Sequence, residues 1–321
     1  MNKNIVVLEN LLYDSPELGN KVKNTAILSR EGIRVPRSIG LKYDMYVEQM
    51  KDMIPHIKDI IVKTDDYSVM AEEIYDFIVN ESFKYAEDVS NAIVEYMPNA
   101  KYFAVRSSGA PFVKGKELIE DSSGVSLAGQ YESYLEVPVE HISKAIMCCY
   151  ASLFSERVLR AFDVKNDLAY LDSRMSVLIQ EMFSSDLCAV VMTKDPVELE
   201  EVFGIEITYG ACEALVSGKV QGDLFLLNRR NGGILDGQIG SKSFCMNLKP
   251  FDGNAADNVI ITETPDYEKS MFSASQEIIS KIFDIGMKIE NIFGTPQDIE
   301  LVVFNNDIGV VQTRPITARS S

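Results

Sequence analysis

TPQDIELVVFNNDIGVVQTRPIT, residues 295–317 of a 321-residue sequence, holds two apolar runs flanking a turn of Asn305, Asn306 and Asp307. A three-residue loop there pairs Phe304 with Ile308 and sets Glu300 opposite Gln312. Side chains alternate along a strand, so Arg314 falls on the same face, two residues further on. A carboxylate with a carboxamide oxygen is a donor set for a hard cation such as Mg²⁺, which keeps waters and draws its other ligands from phosphates. A guanidinium beside them suits a terminal phosphate. The alternative is a polar, solvent-facing hairpin, and a two-residue loop would slip the pairing by one and undo the constellation.

Other segments offer anion-binding groups. KYFAVRSSGA ends a β-prone run on Arg106, two serines and a glycine, a row of guanidinium, hydroxyls and N–H groups that could grip phosphate. LGNKVKN places Lys21 and Lys23 at the start of a helix closed by Gly32, where N–H groups also point outward. Gly129 precedes an alternating run containing Ser133 and follows small residues, the texture of a flap. Each has a plainer alternative, solvated lysines or a small-residue loop.

The elements that must position these residues read as α+β. Helical periodicity covers 17–32, 51–98 and 140–162, and the series Met271, Ile278, Ile282, Ile285, Ile289, Ile292 makes a long amphipathic helix capped by Gly294. Apolar runs at 175–183, 189–196, 204–210, 223–240 and 299–304 read as strands with Gly or Asn turns. The length suits two lobes, divided here as 1–196, with the flap at about 106–135, and 197–321, with the hairpin at 299–314.

With 31 Lys+Arg against 48 Asp+Glu the net charge is −17, which excludes a nucleic-acid partner but not a small nucleotide met by local cations. No run approaches a membrane span and no leader is evident, so a cytoplasmic protein is expected. Five cysteines without C-x-x-C spacing suggest neither disulfides nor zinc, and Cys149 reads as a core residue. His56 and His141 stand in no catalytic motif.

The segments LGNKVKN, FAVRSSG, SLAGQYESYLEV, CYASLFSERV, MSVLIQEM, AVVMTKDP, EALVSGKV, FGTPQDIE and VVQTRPIT, in this order, resemble the ATP-binding domain of the phosphoenolpyruvate synthase, pyruvate phosphate dikinase and rifampicin phosphotransferase family. The resemblance implies an ATP-grasp fold, two lobes clamping ATP between antiparallel sheets. By position it implies that Lys21 and Arg106 bind phosphates and that Gly129 and Ser133 belong to the flap. It implies that Gln180, Glu181 and Met182 face adenine, that Glu300 and Gln312 hold Mg²⁺, and that Arg314 takes a phosphate. Lys21, Arg106 and Arg314 are the implied catalytic set.

Two departures stand out. The family's G-L-G-E turn appears as Gly210, Ala211, Cys212, Glu213, so a positive φ at Cys212 would be strained, and the loop after Arg106 is lengthened by VKGK. No phosphohistidine carrier domain follows the Q-x-R-P motif within this sequence. The expectation is a stand-alone module that cleaves ATP to AMP and phosphorylates a histidine on a separate carrier protein. The alternatives are a direct small-molecule kinase or ATP-grasp ligase, and a catalytically idle ATP-binding subunit.

Overall fold

β-branched and aromatic runs, alternating in burial, collect into two antiparallel sheets, each covered by apolar helix faces. The computed structural model describes residues 2–11, 15–110, 112–113, 116–117, 132–195, 201–253 and 259–316. The chain forms two compact units, one of Met1–Ala26, Arg37–Met182 and Pro250–Asn258, the other of Ile27–Pro36, Phe183–Lys249 and Val259–Ser321. The first helix, α1 (Asn20–Arg30), runs across that division.

The first unit holds β1 (Ile5–Val7), β2 (Ser38–Leu41), β3 (Tyr102–Ala110), the short ribbon β4 (Phe112–Val113) and β5 (Lys116–Glu117), β6 (Ser133–Pro138) and β7 (Arg174–Glu181). Its main sheet has the order β1-β2-β7-β3-β6. Ile39, Phe103, Val105, Val137 and Ile179 are buried in one core with residues of α2 (Tyr43–Met50), α3 (Ile54–Lys63), α4 (Tyr67–Val79), α5 (Ala86–Tyr96), α6 (Ile142–Ala151) and α7 (Glu156–Ala161). The helix expected over 140–162 is broken at residues 152–154, where the Ser152 hydroxyl donates to the Cys149 carbonyl at 2.7 Å and competes with the helical ladder. Cys149 is buried, as its periodicity indicates.

The second unit is built on six strands in the order β11-β10-β9-β8-β14-β15. These are β8 (Leu187–Met192), β9 (Val202–Tyr209), β10 (Asp223–Asn228), β11 (Ile234–Gln238), β14 (Gln297–Phe304) and β15 (Asp307–Pro315). A second ribbon pairs β12 (Phe244–Leu248) with β13 (Val259–Glu263), and α8 (Glu213–Val216) and α9 (Asp266–Lys269) are short. β8 pairs with both β9 and β14, so it lies in the second unit, N-terminal to the 196/197 division expected from sequence.

Helix α10 (Gln276–Phe293) packs Ile278, Ile282 and Ile289 into this core. Ser275 caps it by accepting the Ile278 N–H at 3.3 Å, and Gly294 closes it at φ 67°. Met271, expected on the helix stripe, lies outside it and is exposed, because that cap starts the helix later. A buried ion pair, Lys242 with Asp223, is completed by Gly240 N–H and by the Ser273 N–H and hydroxyl, all donating to the same carboxylate. With every oxygen matched, the charge can sit in the interior. Among the described residues no helix is long and apolar enough to cross a membrane.

Candidate functional site

The hairpin sets Glu300 opposite Gln312, by a route other than the expected loop. The turn is the two-residue Asn305-Asn306, at φ 50° and 63°, so Phe304 faces Asp307 and the ladder runs one residue out as far as Leu301–Val310. A bulge between Glu300 and Leu301 then takes up Val311 and restores the register: Glu300 faces Gln312, and Asp298 faces Arg314. Two-against-one pairing returns Gln312 and Arg314 to the half-buried face, while Ile299, Leu301 and Thr313 point into the core.

That face carries one residue not singled out from sequence. Asp298 accepts from Arg314 Nε at 2.9 Å and from a terminal guanidinium nitrogen at 2.7 Å. The pair holds the guanidinium on the face beside Gln312. The signal was available: Asp298 and Glu300 are two apart on one strand and must share a face.

In the first unit, the start of α1 is hydrogen-bonded to β3. Gly19 N–H donates to Ser176 Oγ at 2.9 Å, Lys21 N–H to Ser108 Oγ at 3.3 Å, and Lys21 Nζ to the Ser107 carbonyl at 2.8 Å. A Cβ at Gly19 would stand 2.0 Å from Ser108 Oγ, so only glycine allows this approach. The Lys21 ammonium is thereby fixed one residue from Arg106, and Arg106 pairs across the sheet with Ser133. Lys21, Arg106 and Ser133 thus come together. Gly129 lies outside the described residues, as do 118–131 of the expected flap and Lys114 and Gly115 of the VKGK insert.

Gln180 is buried at the end of β7, where Glu181 faces Phe103 while Arg106 faces Leu178. Three strand residues, about 10 Å, separate that end from Arg106. Arg37, not singled out from sequence, clamps Glu181: its Nε and a terminal nitrogen donate to the two carboxylate oxygens at 2.8 and 3.1 Å. That carboxylate holds the Arg37 guanidinium above its ordinary range. Glu181 N–H donates to the Arg37 carbonyl at 2.9 Å and Met182 N–H to the Tyr102 carbonyl at 3.0 Å, so both backbone donors already have partners.

The G-A-C-E turn carries no strain at its cysteine. Cys212 has φ −57°, and the left-handed position is Gly210 at φ 82°, where a Cβ would stand 2.4 Å from the Met246 carbonyl oxygen. His56 packs on Phe77 and lines a recess with Asp59, Lys63 and Glu73, and His141 packs on Phe251. Neither adjoins the residues above in sequence or pairing.

Residues 15–321 match the family model described as pyruvate phosphate dikinase, AMP/ATP-binding domain. The chain belongs to this family. Among relatives, it is 28% identical over 303 residues to the uncharacterized phosphotransferase YvkC of Bacillus subtilis, covering 93% of this chain and 33% of that protein. It is 34% identical over 217 residues to a probable phosphoenolpyruvate synthase of Archaeoglobus fulgidus, covering 67% of this chain and 27% of that one. It is 29% identical over 322 residues to a rifampicin phosphotransferase of Bacillus subtilis, covering 94% and 34% respectively. The chain therefore spans between about a quarter and a third of the length of these relatives. Among solved structures, a D-alanine–D-alanine ligase from Helicobacter pylori overlaps 93% of this chain and 54% of its own at 9% identity and a TM-score of 0.37.

Proposed function

We propose that this chain binds Mg-ATP in ATP-grasp fashion and serves as the ATP-cleaving module of a dikinase-type phosphotransferase. ATP is cleaved to AMP, and a phosphoryl group passes to a histidine on a carrier protein. The observation that carries the reading is the bulged hairpin, which puts a carboxylate, a carboxamide and an Asp-held guanidinium on one face. Among the described residues no three of His, Cys, Asp and Glu form a metal-holding cluster. Glu300 with Gln312 therefore fits a cation that keeps water and phosphate ligands, as Mg²⁺ does, and not a fully protein-caged metal.

Mg²⁺ would supply charge neutralisation on the phosphate oxygens, and the protein's own part is positioning. Glu300 and Gln312 hold the cation. Arg314 binds a distal phosphate. Lys21 and Arg106 take others, Ser133 lies beside them, and Gly129 belongs to the flap. Gln180, Glu181 and Met182 receive the adenine, and because their N–H groups at 181 and 182 are committed, that contact falls to carbonyls and side chains. The family, named for AMP and ATP binding, supports a nucleotide as the ligand.

The test is product analysis with and without a phosphohistidine carrier protein. AMP with phosphate on the carrier histidine is expected, and Glu300→Ala should abolish both and leave nucleotide binding indifferent to Mg²⁺. ADP formed without a carrier, or undiminished Mg²⁺ dependence in Glu300→Ala, would overturn the proposal.

A further inference from the structure

Behind the hairpin face that carries Glu300, Gln312 and Arg314 lies a polar network that the proposed chemistry leaves unused. Gln297, the first residue of β14, Thr193, just past β8, and Thr313 on β15 are all buried. The Thr313 hydroxyl donates to Gln297 Oε1 at 2.9 Å. Gln297 Nε2 donates to the Thr295 carbonyl at 3.0 Å, the Thr295 hydroxyl at 3.1 Å and the Pro296 carbonyl at 3.3 Å. Carbonyls can only accept, so the amide has one orientation and its oxygen faces Thr313.

The network continues away from the hairpin. Thr193 N–H donates to the Gln297 carbonyl at 2.9 Å, and Gln297 N–H donates to the Thr193 hydroxyl at 2.8 Å. That hydroxyl donates in turn to the Glu290 carboxylate on α10. Arg229, which follows β10, bonds the other Glu290 oxygen and, through Nε at 2.8 Å, the Thr193 carbonyl. Every polar group of Gln297 and Thr193 is matched, the condition under which a buried network rigidifies a core.

Its place in the hairpin decides what it does. Asp298 and Arg314 are tied on the half-buried face, and their chain neighbours Gln297 and Thr313 are tied on the core face. In the register that the two-residue turn begins, Thr313 would face Asp298 and leave the core, while Arg314 would face Gln297 and enter it. Both ties would break, and only the bulged register makes them together. We propose that Thr313 and Gln297, backed by Thr193 and Glu290, are positioning residues that select the bulged register and so keep Gln312 and Arg314 on the face of Glu300. The consequence for ligand binding rests on the Mg-ATP reading above.

The test compares the full chain with Thr313→Val, Thr313→Ser and Gln297→Met by cross-strand nuclear Overhauser contacts and by titration with Mg-ATP and with AMP. Wild type and Thr313→Ser should show backbone contacts between Glu300 and Gln312. Thr313→Val, which exchanges the hydroxyl for a methyl of similar shape, should instead show contacts between Glu300 and Val311. It should also bind Mg-ATP about tenfold more weakly, as expected for lost bonds to charge, with AMP unaffected. Gln297→Met should do the same, and it decides the matter if Thr313→Val does not fold. Glu300–Gln312 contacts retained in every folded variant would overturn the proposal, as would equal losses for Mg-ATP and AMP, the mark of a stability role alone. If wild type binds no Mg-ATP but the register still shifts in Thr313→Val, the nucleotide reading fails and the positioning role stands.

Discussion

Arg314 is held before any anion arrives. Asp298 fixes its guanidinium through two hydrogen bonds, so at the proposed site a phosphate would meet a prepositioned fork and not a chain that must be ordered first. Arg314→Ala should weaken a triphosphate on the order of tenfold or more, as expected for lost bonds to charge, and leave AMP nearly unchanged by calorimetric titration. A second residue gives a pH prediction. Glu136 sits at φ 51° in the irregularity between β3 and β6, and burial raises its carboxyl pKa. The folded chain therefore holds that proton more tightly than the unfolded chain, and the group opposes folding above the carboxylate range. Glu136→Gln should raise the thermal midpoint at neutral pH, with the gain disappearing as the medium is acidified towards that range. Glu300, Gln312 and Arg314 were legible because their chemistry and spacing coincide. Asp298 could be placed on their face by the same spacing, but its hold on Arg314 shows only in the pairing across the hairpin, and Arg37 is recognisable only by the Glu181 side chain it meets.

The register of the hairpin depends on one extra residue in one strand. The two-residue turn alone would face Glu300 with Val311 and turn Gln312 and Arg314 into the core. Deleting Val311 should therefore keep Glu300 opposite Gln312 in a regular ladder and preserve Mg²⁺-dependent binding, whereas an alanine inserted between Val311 and Gln312 should abolish it. Equal outcomes for the two variants in titrations with and without Mg²⁺ would refute the register argument. The pairing of Glu300 with Gln312 could be reached from sequence, but its route could not. Asn305-Asn306 accepts the left-handed torsions of a tight turn, and the bulge that compensates has no composition of its own among Gly309, Val310 and Val311. The break after Ala151 was hidden for a related reason, since it turns on a serine hydroxyl finding its own helix carbonyl.

Each compact unit has its own apolar core, one around Phe103, Tyr150 and Ile179, the other around Phe203, Ile282 and Leu301. Scanning calorimetry should accordingly give a calorimetric enthalpy larger than the van't Hoff value, and a ratio near one would contradict separate cores as separate cooperative blocks. The α+β class was legible from periodicity. The pairing of β8 was not, because β8 looks like a neighbour of β7 in sequence and finds its partners in β9 and β14. That placement has a consequence for synthesis on the ribosome. β8 emerges at 187–192, yet its partner β14, which completes the middle of the six-stranded sheet, is not made until 297–304. Until then Leu187, Ala189 and Val191 lie along an open edge. A nascent chain stalled between those points would expose a ready template for pairing with another molecule, and is the form of this protein most in need of a chaperone.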